Sequence, residues 1–338
     1  MKAAEYQKPR TLKIITRDLR TLRDDEVLVK VEACGVCGTD VHIVEGTSHS
    51  TPPVVLGHEY AGIVEDCGKV IDRAIVGRRV AVDPNIACRS CYFCHRGLVH
   101  LCENLRALGV DIDGGMAEYC IVPVHQVYQL PDGMTSELSA FVEPVSCAVH
   151  GVDRAHIQTG DTVLILGGGT IGLIMLQLVR SAGAARTILV EPVTHKQDIA
   201  RRLGADEVLD PAVTDIRSAL LDLTGVGADV VIECVGKPAT MQRAIELARR
   251  GGTVEFFGVC AIGETIPVEP NQVYFKEINI IGSYINPHTF ARAILLLQTG
   301  RVRIDDFQID HFPLEGVHEA LSYQREARTL KSIIQPHA

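Results

Sequence analysis

The sequence predicts an α/β protein, a doubly wound parallel sheet joined to a second, irregular and mainly β domain. Three observations carry this expectation. From about Gly160 onward, short apolar strands alternate with helical patterns, the texture of a wound parallel sheet. One of those strands runs into Gly167-Gly168-Gly169-Thr170-Ile171-Gly172 and then into a helical run. The first third has strand patterns instead, broken by Gly, Pro and Asp, as in small antiparallel domains.

In chain order, Val27, Val29 and Val31 alternate with Leu28, Lys30 and Glu32, a strand with at least one apolar face. Further short strands are expected at Ala117 to Val124 and Val127 to Leu130. The wound sheet should use Thr162–Leu166, Thr187–Val190, Glu207–Leu209, Asp229–Ile232, Thr253–Phe257 and Ile278–Gly282. Helices are expected between most of them, as at His195–Leu203 and Ala239–Arg249. Helices at Thr289–Gln298 and around Gly316–Arg325 follow, then a last strand at Leu330–Ile334. The stretch Thr162 to Val179 lacks charge and mimics a membrane span, but three consecutive glycines in its middle would break a spanning helix.

With 338 residues the chain has room for two cores. Apolar residues at 46% and charged residues at 22% are ordinary for a globular protein. A net charge of -9 repels phosphate backbones, so no nucleic-acid partner is expected. Met1 to Tyr6 contain no apolar run of the signal-peptide kind, and a cytoplasmic protein is expected. In that setting the 11 cysteines should be metal ligands or free thiols rather than disulfides.

The glycine run fits G-x-G-x-x-G in its informative context, after a strand and before a helix. Gly167 permits a tight turn, Gly169 lets the backbone approach a pyrophosphate, and Gly172 lets helix and strand pack. Thr170 and Ile171 lie at the helix N-terminus, where the pyrophosphate would sit. Glu191 ends the next strand 19 residues after Gly172, placed to bind ribose hydroxyls and to repel the 2′-phosphate of NADP. Lys196 is within reach of the adenosine ribose or a phosphate. The reading is a Rossmann unit that binds NAD.

Cys88, Cys91, Cys94 and Cys102 are spaced C-x2-C-x2-C-x7-C. Four thiols so close fit one tetrahedral, closed, structural zinc site. The ferredoxin spacing ends C-x3-C-P, which this run does not match. Elsewhere Cys37, His58, Glu59 and Glu143 offer one thiolate, one imidazole and two carboxylates. That set is enough for a catalytic zinc with a position left open.

On Cys37-Gly38-Thr39-Asp40, Gly57-His58-Glu59 followed by Gly62, the four-cysteine lobe and Gly167 to Gly172, in that order, the chain resembles the zinc-containing medium-chain alcohol dehydrogenases over essentially its whole length. The resemblance implies a GroES-like catalytic domain at 1–148 and 288–338 around a Rossmann domain at 149–287. It implies Cys37 and His58 as zinc ligands, with Glu59 or Glu143 completing the set. It implies Thr39 as the group that hydrogen-bonds the substrate hydroxyl, His42 as the onward proton relay, and Asp40 as the carboxylate that orients the imidazole. The simple-alcohol enzymes carry cysteine where this chain has Glu143, and the sorbitol and polyol dehydrogenases carry Glu. A secondary alcohol, a polyol or sugar alcohol, is the implied substrate. Ile285 stands where sorbitol dehydrogenases commonly place arginine, so sorbitol is one of several candidates. Threonine-type amino-alcohol and simple secondary-alcohol dehydrogenases are the alternatives. We expect two zinc ions per chain, NAD, and a homodimer or homotetramer.

Overall fold

Five residues, Thr162–Leu166, start the second core, and four of them are apolar and β-prone. Val163, Leu164 and Ile165 are wholly buried, as the middle of a sheet covered on both faces requires. All strand pairings around it are parallel, and the six strands lie in the order Glu207–Leu209, Arg186–Val190, Thr162–Leu166, Ala228–Glu233, Ala248–Phe256, Asn279–Gly282. In chain order that is the 3-2-1-4-5-6 arrangement of dinucleotide-binding sheets. Leu166 pairs with Val190, so the glycine turn after Leu166 and Glu191 after Val190 emerge at the same end.

The computed structural model describes all 338 residues and divides them into two units. One holds Met1–Pro144, Phe290–Gln298 and Gln308–Ala338, and the other holds Val145–Thr289 and Thr299–Phe307. The expected boundaries at 148/149 and 287/288 move by only a few residues. The first falls inside the helix Val142–Ala155, which no composition change marks. A larger departure is Thr299–Phe307, expected in the first unit and found in the second. There Gln177 holds it, donating to the Arg303 carbonyl at 3.1 Å and accepting from the Arg303 N–H at 2.8 Å.

The first unit is built on Glu26–Gly35, which pairs antiparallel with Glu59–Cys67, Tyr119–Pro123 and Lys331–Gln335. Arg79–Val82 and Val127–Gln129 extend the sheet beyond Glu59–Cys67, and Ile309–Pro313 adds a parallel strand beside Lys331–Gln335. Val27, Val29 and Val31, the alternating set of the sequence, are wholly buried in this core. Phe290 returns to it and packs its ring 4.8 Å from that of Tyr128. No helix is long and apolar enough to cross a membrane.

One buried acid stands apart in the second unit. Glu255, in the strand Ala248–Phe256, is wholly buried and neither carboxylate oxygen has a hydrogen-bond partner. Burial pushes its carboxyl up from 4.5 to about 8. The folded chain therefore keeps this proton up to about pH 8, while the unfolded chain sheds it above about 4.5. Stability must fall as pH rises through that window. Glu255→Gln should remove this part of the loss, raising stability at pH 9 relative to wild type by on the order of a few kcal/mol. Thermal melts of both proteins at pH 5 and pH 9 check it, and an unchanged gap between them would refute the assignment.

Candidate active site and metal centres

Cys37 ends the loop after Glu26–Gly35 and caps the helix Gly38–Glu45. The Cys37 N–H donates to Asp40 Oδ2 at 2.8 Å, which ties the first turn. Asp40 is wholly buried, and its Oδ1 lies 3.5 Å from His58 Nδ1, longer than an ordinary hydrogen bond. Glu59 begins the neighbouring strand and faces Gly35 across the ladder. Register thus brings Cys37, His58 and Glu59 together: one ligand atom from each lies within 4.8 Å of the others. Glu143, in the first turn of Val142–Ala155, is buried nearby but does not join that group of three.

The donor set fits a divalent metal of zinc type, offering a half-buried sulfur with a buried imidazole nitrogen and carboxylate oxygen in one cluster. Its electrostatics agree. Burial opposes a charge on His58, but Asp40 and Cys37 outweigh it, and the imidazole pKa rises well above its usual value. The same acidic surroundings would favour a bound cation. With Nδ1 turned to Asp40, the ring orientation leaves Nε2 to serve as ligand.

Thr39 lies in the first turn of Gly38–Glu45, its hydroxyl 3.7 Å from Cys37 Sγ. His42 follows three residues later, on the same helix face, and is exposed to solvent. Its Nδ1 lies 3.3 Å from the Thr47 hydroxyl.

Sequence reasoning missed one member of this site. Lys331 lies on the last strand with a side chain only 4% exposed, and its ammonium pairs closely with Glu59 Oε2. Burial works against its charge, yet Glu59 and Cys37 overcome that and raise its pKa. The signal was a lysine in an otherwise buried run, Leu330 to Ile334.

The second cluster is Cys88, Cys91, Cys94 and Cys102, again with ligand atoms within 4.8 Å of one another. Cys91 caps the short helix Tyr92–His95. Cys102 Sγ accepts the N–H groups of Cys88 at 3.2 Å and Asn104 at 3.4 Å, the pattern that suits a thiolate. The thiols drive one another's pKa values apart. The Ser90 N–H and hydroxyl bring Cys88 down to about 5, while burial and the neighbouring thiols push Cys94 up to about 12.

In the second unit Gly169 caps the helix Thr170–Ala182. Gly167 has φ +101°, and a Cβ on Gly172 would stand 1.8 Å from the Gly167 carbonyl oxygen, so the turn closes only without side chains. Ile171 opens the helix beside Thr170. Glu191 Oε2 accepts the Gly168 N–H at 2.8 Å and Oε1 accepts the Val193 N–H at 2.9 Å. The acid is therefore held against the glycine turn by backbone donors. Lys196 is buried in the first turn of Thr194–Arg202.

Residues 23–132 match the alcohol dehydrogenase GroES-like domain, and residues 170–299 match the zinc-binding dehydrogenase domain. The chain is 37% identical to D-arabinitol dehydrogenase 1 of Uromyces fabae, over 100% of this chain and 97% of that one. It is 33% identical to an L-threonine 3-dehydrogenase of Pyrococcus horikoshii, over 91% of this chain and 90% of that one. A protein of Sinorhizobium meliloti 1021 described as a zinc-binding dehydrogenase and solved with NADP superimposes with a TM-score of 0.95 at 40% identity, over 99% of both chains. With its two thiol-bearing clusters of potential metal ligands, its dinucleotide-binding sheet and these relatives, the chain belongs to the zinc-containing medium-chain alcohol dehydrogenases.

Proposed function

We propose that the protein oxidises a secondary hydroxyl flanked by a further hydroxyl, that of a polyol or sugar alcohol, with NAD as acceptor. The observation that carries this is the carboxylate-rich metal pocket: Cys37, His58 and Glu59 together, with Glu143 close enough to act electrostatically on Lys331. A polar pocket rewards a substrate with further hydroxyls, because buried donors and acceptors left unpaired are costly. The similarity to D-arabinitol dehydrogenase supports the same class. Threonine-type amino-alcohol oxidation is the second reading, favoured by the Pyrococcus relative.

Cys37, His58 and Glu59 would hold the catalytic zinc, with Glu143 as the exchangeable carboxylate, and Cys88, Cys91, Cys94 and Cys102 would hold the structural zinc. When bound, the catalytic zinc supplies a Lewis acid for the substrate hydroxyl and NAD supplies the hydride acceptor. Thr39 accepts the proton of the substrate hydroxyl and hands its own on to His42, whose exposed ring passes it to solvent. Asp40 fixes the ring of His58. The helix N-terminus at Thr170 and Ile171, reached past Gly167, Gly169 and Gly172, receives the pyrophosphate. Glu191 binds the adenosine ribose, with Lys196 behind it.

The wound sheet ends at Asn279–Gly282, and Val259, Ile262, Tyr274 and Phe275 of the same unit are each at least 70% exposed. An open strand edge with apolar surface of this kind supports a homodimer or homotetramer. A cytoplasmic site would keep the metal-binding thiols reduced.

Polyols and vicinal diols should exceed ethanol, 2-propanol and 2-butanol in kcat/KM by about tenfold or more. An NADH absorbance screen that includes threonine decides this, and clear preference for the simple alcohols or for threonine would remove the polyol reading.

NAD should be preferred to NADP by about tenfold or more, through repulsion between Glu191 and a 2′-phosphate. Equal kcat/KM for the two cofactors would refute the role of Glu191.

Elemental analysis should find two zinc ions per chain. Cys37→Ser should abolish turnover and leave the melting temperature near wild type, whereas Cys91→Ser should lower it by several degrees. A Cys91→Ser protein that melts like wild type and keeps both ions would overturn the structural role.

A further inference from the structure

We propose that Lys331 is a positioning residue of the metal site: it engages one oxygen of Glu59 and supplies the positive charge that keeps this carboxylate from closing fully on the metal. The inference rests on the reading of Cys37, His58 and Glu59 as zinc ligands.

The geometry is specific. Lys331 and Glu59 are 272 residues apart in sequence and both side chains are at most 4% exposed. They meet because Gly35 lies between their strands, paired directly with Glu59 and next to the strand that carries Lys331. A Cβ on Gly35 would stand 2.5 Å from Glu59 Oε2 and 2.7 Å from Lys331 Cε. The missing side chain at residue 35 is therefore the space in which the pair forms. The Phe141 ring centroid lies 6.0 Å from the ammonium, which adds an aromatic face and leaves the charge to be balanced by anions. Those anions are Glu59, Cys37 and Glu143, each of which acts electrostatically on Lys331.

A buried lysine is costly, and a buried ion pair is no better for stability than a well-packed apolar pair. Its value lies in what it does to the site. A thiolate and two carboxylates already outweigh a divalent metal by one negative charge, before the buried Asp40 is counted, and Lys331 offsets part of that excess. It also occupies Oε2, so Glu59 has only its other oxygen to give. Without the lysine, a buried and unpaired Glu59 would turn both oxygens to the metal. The ion would be held more tightly and would be a poorer acceptor for the substrate hydroxyl.

The test is metal release. Holoenzyme is mixed with pyridine-2,6-dicarboxylate and the release of zinc is followed, alongside the visible spectrum of the enzyme with cobalt in the catalytic site. Lys331→Gln should release the catalytic metal about tenfold more slowly. The cobalt bands of Lys331→Gln should weaken as a fifth ligand atom joins, and Lys331→Arg should stay near wild type in both measurements. Should Lys331→Gln not fold, Lys331→Met, which removes the charge and keeps a chain of similar length, takes its place with the same expected slower release. Release that is unchanged or faster when the lysine charge is removed overturns the proposal. Wild-type enzyme holding one zinc per chain instead of two would be a failure of the ligand assignment beneath it, read separately by elemental analysis.

Discussion

Charge balance around a buried metal pocket is the constraint on which the first unit depends. Asp40, Glu59 and Glu143 bring buried acidic groups beside the half-buried Cys37, with His58 and Lys331 as the nearby bases. Isolated charges in such a place cost several kcal/mol each. They persist because each has a partner in reach: Asp40 holds the Cys37 N–H and faces His58, and Glu59 meets Lys331. The strand Glu26–Gly35 makes this possible, since it runs between the strands that carry Glu59 and Lys331 and feeds directly into Cys37. A shift of one residue in either pairing would turn the acid or the lysine to the opposite face.

The two thiol clusters solve different problems with similar atoms. The four-cysteine set is confined to residues 88 to 102 and organised by local N–H···S bonds, so it can staple its own loop with little help from the rest of the fold. The Cys37 cluster draws on separate strands and a helix start, and its ligands are of mixed type. A closed all-thiolate set suits structure, and a mixed set with a position to spare suits chemistry on a substrate oxygen.

The dinucleotide-binding unit shows the same economy in another form. The pairing of Leu166 with Val190 delivers the glycine turn and Glu191 to one end of the sheet, and the Gly168 N–H then fixes the carboxylate. A single acid thus ties the glycine turn to the start of the next segment through two backbone N–H groups.

Much of this was legible in the sequence because it is local. Strand Thr162–Leu166 and strand Glu207–Leu209 have the bounds that their apolar runs suggest, and the cysteine spacing and glycine turn are short-range patterns whose chemistry follows from residue type. The unit to which Thr299–Phe307 belongs was not legible, because a glutamine 126 residues away in sequence decides it. Nor was Lys331, which looks like one stray charge in an apolar strand until the sheet sets it beside Glu59. Sequence by itself determined which elements form and which side chains can bind metal or phosphate, since those depend on neighbours along the chain. Tertiary structure alone decided which carboxylate meets which cation, because strand register, and the gap left at Gly35, bring together residues that the chain keeps 272 positions apart.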